Sequence, residues 1–340
     1  MRQWWLTPGR IIAVIDAERP LRAGATDTSK LSLEYINAMT RLPNPALSPS
    51  RGRASEPTFD RLPTIQLLVP GQEYEALGFL AAHPVHNVIL SSFISDNGFE
   101  SSLNRGDFYA CRDRSGALSG VALIGHHIIF AGQCAEAIGA FARQARARGE
   151  SHVIVGERRA VRQFWSSYAL AGESPSLVQR ELLLEQKWPV AVREPVAGLR
   201  LATLADLPHV AAVHAQLAFA ESRVNPLETD GAGFLARLAR RTEQGRVWVW
   251  IEDGRLIFKT DIISDTPDVI YLEGIYVNPA ERGRGYGLRC LSQLSRELLR
   301  RAKSLCLLVN EQNEEAQSFY RRAGYKLHSH FETIYLSPQV

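Results

Sequence analysis

Three glycines and two arginines stand together at Arg282-Gly283-Arg284-Gly285-Tyr286-Gly287, between a β-branched and aromatic run and an amphipathic helix. Backbone N–H groups at a helix N-terminus, cleared of side-chain bulk, make a cradle for an anion such as a phosphate. The glycines sit two apart twice, so the spacing departs from the GxGxxG of a dinucleotide fold. No GK[ST] ending marks a nucleotide P-loop either. Downstream, Asn310-Glu311-Gln312-Asn313-Glu314-Glu315-Ala316 falls where a buried strand passes into a helix that carries Tyr320 and ends at Gly324-Tyr325. Upstream, Glu273 is the one carboxylate in the run that leads to the cradle.

Those residues need a frame, and hydrophobic periodicity supplies one. From near Val196 the pattern predicts a short strand, then a helix capped by Thr203 and running to about Phe219, then a second helix over 234–241. A hairpin is expected across Asp253-Gly254, a strong turn signal. A strand over 269–277 follows, leading into the cradle. The helix from Gly285 places Leu288, Leu291, Leu294 and Leu298 on one face. A buried strand over 305–309, a helix ended by Gly324, and strand-like segments over 325–336 complete the unit. Residues from about 64 to 186 repeat the order: strand, two helices, a hairpin around Asp113-Arg114-Ser115-Gly116, a further strand, a helix ended by Gly149, a short strand and a helix. Two copies of one α/β (α+β) architecture are expected. Residues 43–63 are rich in Pro, Ser and Arg without apolar periodicity, so 1–63 reads as a linker-like or disordered extension.

The spacing Val277-x-Pro279-x-x-Arg282-x-x-Gly285-x-Gly287 resembles the acyl-CoA signature of the GNAT superfamily of N-acyltransferases. Asn310-x-x-Asn313-x-x-Ala316-x-x-x-Tyr320-x-x-x-Gly324-Tyr325 is similar to its second motif. The resemblance implies two GNAT-like domains, each a mixed, mostly antiparallel twisted sheet flanked by helices. Residues 64–190 would be a degenerate copy lacking the acyl-CoA loop, and 196–340 the catalytic one. It implies acetyl-CoA as acyl donor, with the N–H groups of Arg282, Gly283, Arg284, Gly285, Tyr286 and Gly287 on the pyrophosphate. Gly285 and Gly287 would permit its close approach. Ile275, Tyr276 and Val277 would pair with the pantetheine arm as an added strand does. Asn310, Asn313 and Ala316 would border the arm from the other side, and Tyr320 would protonate the departing thiolate. A backbone N–H of the strand that leads to the cradle would hold the tetrahedral oxyanion. The acceptor amine must be neutral to attack, so a base is needed. Glu273 is the candidate, in a context that resembles that of some aminoglycoside-modifying members.

Bland roles compete with these. Tyr320 also reads as a packed helix residue and Glu273 as an ion-pair partner. The alternative to catalysis is an acyl-CoA-binding sensor or scaffold. Composition narrows the field further. A net charge of +3 over 340 residues argues against nucleic acid as partner. No apolar run is long enough to predict a membrane span. The four cysteines, Cys111, Cys134, Cys290 and Cys306, lack metal or disulfide spacing, which makes a reduced cytoplasmic setting the default. His328 and His330 lack a third nearby ligand, so no metal is expected. In the first copy, Ala131-Gly132-Gln133-Cys134-Ala135 stands where a cradle would be, without arginine, proline or paired glycines. The acceptor, the acyl chain length and the oligomeric state, a homodimer included, are left open.

Overall fold

A single sheet of twelve strands runs through both halves of the chain, in the order β1-β2-β3-β4-β5-β12-β6-β11-β10-β9-β8-β7. The computed structural model describes residues 64–149, 151–191, 194–222 and 225–336, and the extension expected over 1–63 lies outside them. The first half contributes β1 (Thr64–Leu67), α1 (Glu73–Leu80), α2 (Pro84–Asn97), β2 (Gly106–Arg112), β3 (Leu118–Gly125), β4 (His127–Gly132), α3 (Ala135–Arg148), β5 (Val153–Glu157), α4 (Arg158–Tyr168) and β6 (Leu177–Gln186). The second repeats that order with β7 (Leu199–Leu201), α5 (Leu207–Ser222), α6 (Pro226–Glu243), β8 (Val247–Glu252), β9 (Arg255–Asp265), β10 (Val269–Val277), α7 (Tyr286–Leu298), β11 (Ser304–Asn310), α8 (Glu314–Arg322) and β12 (Lys326–Tyr335). Pairing is antiparallel except for β4 with β5 and β10 with β11, so the fold is the mixed, mostly antiparallel α/β sheet flanked by helices that was expected.

Local chemistry explains the frame. Asp253 (φ 48°) and Gly254 (φ 71°) make the tight turn between β8 and β9. Thr203 and Asp206 form a reciprocal capping box ahead of α5. On α7, Leu291, Leu294 and Leu298 are buried against Ile270, Leu272 and Leu305, as their spacing predicts.

One strand escapes the sequence reading. β6 carries Arg180, Glu181 and Glu185, charges that obscure strand alternation. Its place is explained by partners far along the chain. It pairs with β11 over Glu181–Gln186 and with β12 along its other edge, and Thr333 Oγ1 donates to the buried Glu181 carboxylate at 2.7 Å. β12 in turn pairs with β5. The last strand of each half is therefore inserted in the other half's sheet. Helix α2 also crosses over: Val85 and Val88 pack with Tyr271, Cys306 and Leu308 of the second half. Arg246 grips Asp96 with both Nη atoms, at 2.6 and 2.8 Å.

Candidate acyl-CoA site

Strand β10 has two different neighbours. It stays paired with β9 as far as Val277↔Phe258. With β11 its register covers only Val269↔Ser304 to Tyr271↔Cys306. Beyond Tyr271 the two parallel strands diverge, and the β11-side edge of β10 is left facing a cleft of about 320 Å³. Ile275 and Val277 line it, while Tyr276, on the opposite face, packs into the cluster beneath α5 and α6. That alternation is the period of two of a strand.

Val277-Asn278-Pro279 ends the strand. Asn278 Oδ1 accepts from Ala280 N at 3.1 Å, and its amide donates to Leu256 O at 3.0 Å. Gly283 (φ 76°) and Gly285 (φ 78°) then take the left-handed conformation that side chains resist, and a Cβ at either would meet nothing within 4 Å. Gly285 is the N-cap of α7, whose first-turn N–H groups have no intrahelical acceptor. No acidic residue stands in that turn. Gly287 lines the cleft and has a packing reason to be bare as well. A Cβ there would lie 2.8 Å from Val277 Cγ2 and 3.2 Å from Phe319 Cε2, so its bareness lets α7 sit close on β10 and α8.

Charge around the cleft is mixed. Arg282 and Arg322 line it, as do Glu281 and Glu315. Arg284 points instead to Glu281, at 2.9 Å. Tyr286 lines the cleft and stands edge-on to Trp250, with ring centroids 5.0 Å apart.

The second motif is placed beside the cleft rather than in it. Asn310 Oδ1 accepts from Gln312 N at 2.8 Å, and Asn313 caps α8 through Ala316 N at 2.9 Å. Ala316 is core. Tyr320 is 1% exposed, its ring between those of Phe319 and Tyr325, and burial pushes its phenol well above the ordinary range. Glu273 is 5% exposed and faces Asp261 across the β9 register. Sequence reasoning missed Glu281, Leu288, Glu315, Phe319 and Arg322 as cleft residues. The last three were legible, because spacings of four and three put them on one face of α8, about 100° round the helix from Ala316 and Tyr320.

A second cleft, of about 420 Å³, opens at the matching place in the first half, lined by Ile129, Gly132, Gln133, Gly156, His86 and Phe331 among others. Only residues 133–134 join β4 to α3 there, against 278–285 between β10 and α7.

Among the described residues no helix is long and apolar enough to cross a membrane. Residues 214–325 match the family described as Acetyltransferase (GNAT) family. No curated protein matches the chain. Among solved structures, a GNAT-family acetyltransferase from Colwellia psychrerythraea superposes with a TM-score of 0.51 at 13% identity, over 81% of this chain and 100% of that one. A Drosophila protein gives 0.57 at 16% identity, over 81% and 99%. A tandem GNAT protein from the clavulanic acid biosynthesis pathway gives 0.52 at 14% identity, over 82% and 100%. Residues 214–325 thus carry the match to the GNAT acetyltransferase family, and 82% of the chain shares its fold with a tandem GNAT protein.

Proposed function

We propose that the protein is an acetyl-CoA-dependent N-acetyltransferase that moves the acyl group to an amine of a small molecule or peptide. The observation that carries this reading is the joining of two features at one cleft: the unpaired edge of β10 and the left-handed glycine turn at the N-terminus of α7. A pantetheine arm fits the first as an added strand, and a diphosphate fits the second, because the first-turn N–H groups of α7 have no acceptor within the helix. Arg282 and Arg322 add positive charge beside the turn.

Bound at this cleft, acetyl-CoA supplies an activated thioester. The chain's own residues then position it, accept the amine proton and return a proton to sulfur. Tyr320 is the proton donor in this reading: a phenol kept neutral by burial holds its proton until a thiolate needs it. Glu273, directly or through water, is the base. Residues 220–230 and the first half of the chain shape the acceptor site.

The burial of Tyr320 and Glu273, neither of which lines the cleft, favours a second reading, a sensor that binds acyl-CoA without turnover. One experiment separates the two. Thiol release from acetyl-CoA is followed against a panel of amines, amino acids and peptides, alongside the melting temperature with CoA. Amine-dependent release supports the enzyme. A raised melting temperature with background release establishes the sensor. If CoA leaves the melting temperature unchanged and no thiol appears, both readings fail.

A further inference from the structure

Beneath the cleft lies a charged cluster that the proposed chemistry does not use. Lys259 and Asp261, both on β9 and both 0% exposed, form an ion pair, and His214 Nδ1 of α5 stands 3.3 Å from the Asp261 carboxylate. Burial by itself raises the Asp261 carboxyl and lowers the Lys259 amine, and the positive charge of Lys259, with His214 beside it, holds the carboxyl below the usual carboxylate range. Burying such a pair is costly and is weak evidence for stability, so its position calls for another explanation.

That position is against an irregularity in β10. Between the pairs Glu273↔Asp261 and Tyr276↔Lys259 the register slips, and Gly274 takes φ 60°. Thr260 Oγ1 donates to the Glu273 carbonyl at 3.1 Å, and Lys259 Nζ donates to the Gly274 carbonyl at 3.4 Å. The two hydrogen bonds grip the two peptide planes that flank Gly274, the residue type with the greatest backbone freedom. A Cβ at Gly274 would lie 2.8 Å from both Asp261 Oδ2 and Lys259 Nζ, so bulge and ion pair are built around each other.

Geometry extends this to the cleft. In a planar trans peptide the N–H points opposite to the C=O. With the Gly274 carbonyl drawn to Lys259 on the α5 side of the sheet, the N–H of Ile275 is turned to the other side, where Ile275 lines the cleft. A hydrogen bond from an ammonium to that carbonyl also polarises the peptide and makes its N–H a stronger donor.

We propose that Lys259 and Thr260 are positioning residues, which lock the β10 bulge so that the Ile275 N–H is held ready for the oxygen of a bound thioester. This rests on the acyl-CoA reading above, in which the family resemblance already implies a strand N–H for the oxyanion; the lock by Lys259 and Thr260 is the addition. The donor must be fixed before reaction, since a group that reorients during the step loses much of its effect.

The test uses the described chain with its full sequence and [1-13C]acetyl-CoA. Infrared difference spectra report the hydrogen bond to the thioester carbonyl whether or not turnover occurs. In the native protein the carbonyl stretch is expected below its value in water. Thr260→Val, and the double variant Lys259→Met with Asp261→Leu, should return it toward the free value, while Thr260→Ser keeps it low. Where turnover is measurable, kcat should fall about tenfold or more in the first two variants, short of the loss on deleting an oxyanion donor outright. KM for acetyl-CoA should stay within about twofold, the pattern of an interaction made in the transition state. A merely structural role would lower the melting temperature without moving the carbonyl stretch. An unshifted carbonyl in the native complex, a Thr260→Val spectrum like the native one, or equal loss in Thr260→Ser overturns the inference alone. Failure to bind acetyl-CoA overturns both it and the reading on which it rests.

Discussion

Tyr320 concentrates the residue-scale question, because burial is consistent with both of its roles. A phenol 1% exposed beside Tyr325 is a core side chain, and its raised pKa also keeps it a loaded proton donor. Tyr320→Phe removes the hydroxyl and conserves the ring, so packing against Phe319 survives. A proton donor lost from a thiol-releasing step lowers kcat by about 10²-fold or more, with acyl-CoA affinity unchanged. Steady-state kinetics with a calorimetric Kd checks this, and an unaltered kcat assigns Tyr320 to the core. Single residues were legible in the sequence where their role is local. Gly283 and Gly285 are glycines because of their own φ angles. Asn313, expected on the pantetheine arm, caps its own helix through Ala316 N, a role that Asn before two glutamates also signals. The buried company of Glu273 was not legible, because Lys259, Thr260 and Asp261 come from a neighbouring strand.

Elements were read well where one face of a helix or one turn decides them, as for α7 and the β8–β9 hairpin. Their contacts were read less well. Gly287 matches an acyl-CoA pattern, yet its missing Cβ makes room for Val277 and Phe319. Val277 is β-branched and held in a strand, so it has few rotamers with which to yield. Gly287→Ala therefore forces α7 away from β10, a strain of the overpacking kind worth about 1–3 kcal/mol and larger than the gain in helix propensity. The denaturant midpoint should fall accordingly, and the cleft should bind acyl-CoA less tightly because its floor and the α7 turn have separated. A midpoint at or above the native one would show that the helix–strand distance is not set by this glycine.

At the scale of the molecule, the repeat of element order was legible and the exchange of last strands was not, because register depends on pairings 119 (Gln186↔Leu305) to 182 (Val153↔Tyr335) residues apart. That exchange makes a prediction about separability. In the second half, β11 and β12 are not neighbours: β6 lies between them, bonded to β11 over Glu181–Gln186 and to β12 over Leu177–Glu185. A fragment spanning 196–340 would leave the edge of β11 unpaired, and with it the apolar Leu305, Leu307 and Val309 that anchor the core under α7. It would also lose Val85 and Val88 from the opposite face of the same strands. Unpaired apolar edges recruit other chains. The fragment should therefore aggregate or pair with a second copy, without the cooperative unfolding of the whole chain, even though it contains the entire glycine turn and second motif. Adding residues 64–190 as a separate chain should restore a one-to-one complex, since each piece supplies the strand that the other lacks. Sedimentation and thermal melts of fragment, mixture and full chain decide the matter. A monomeric 196–340 that melts cooperatively would mean that the second half holds its own sheet without β6, and that the shared strands join two self-sufficient domains.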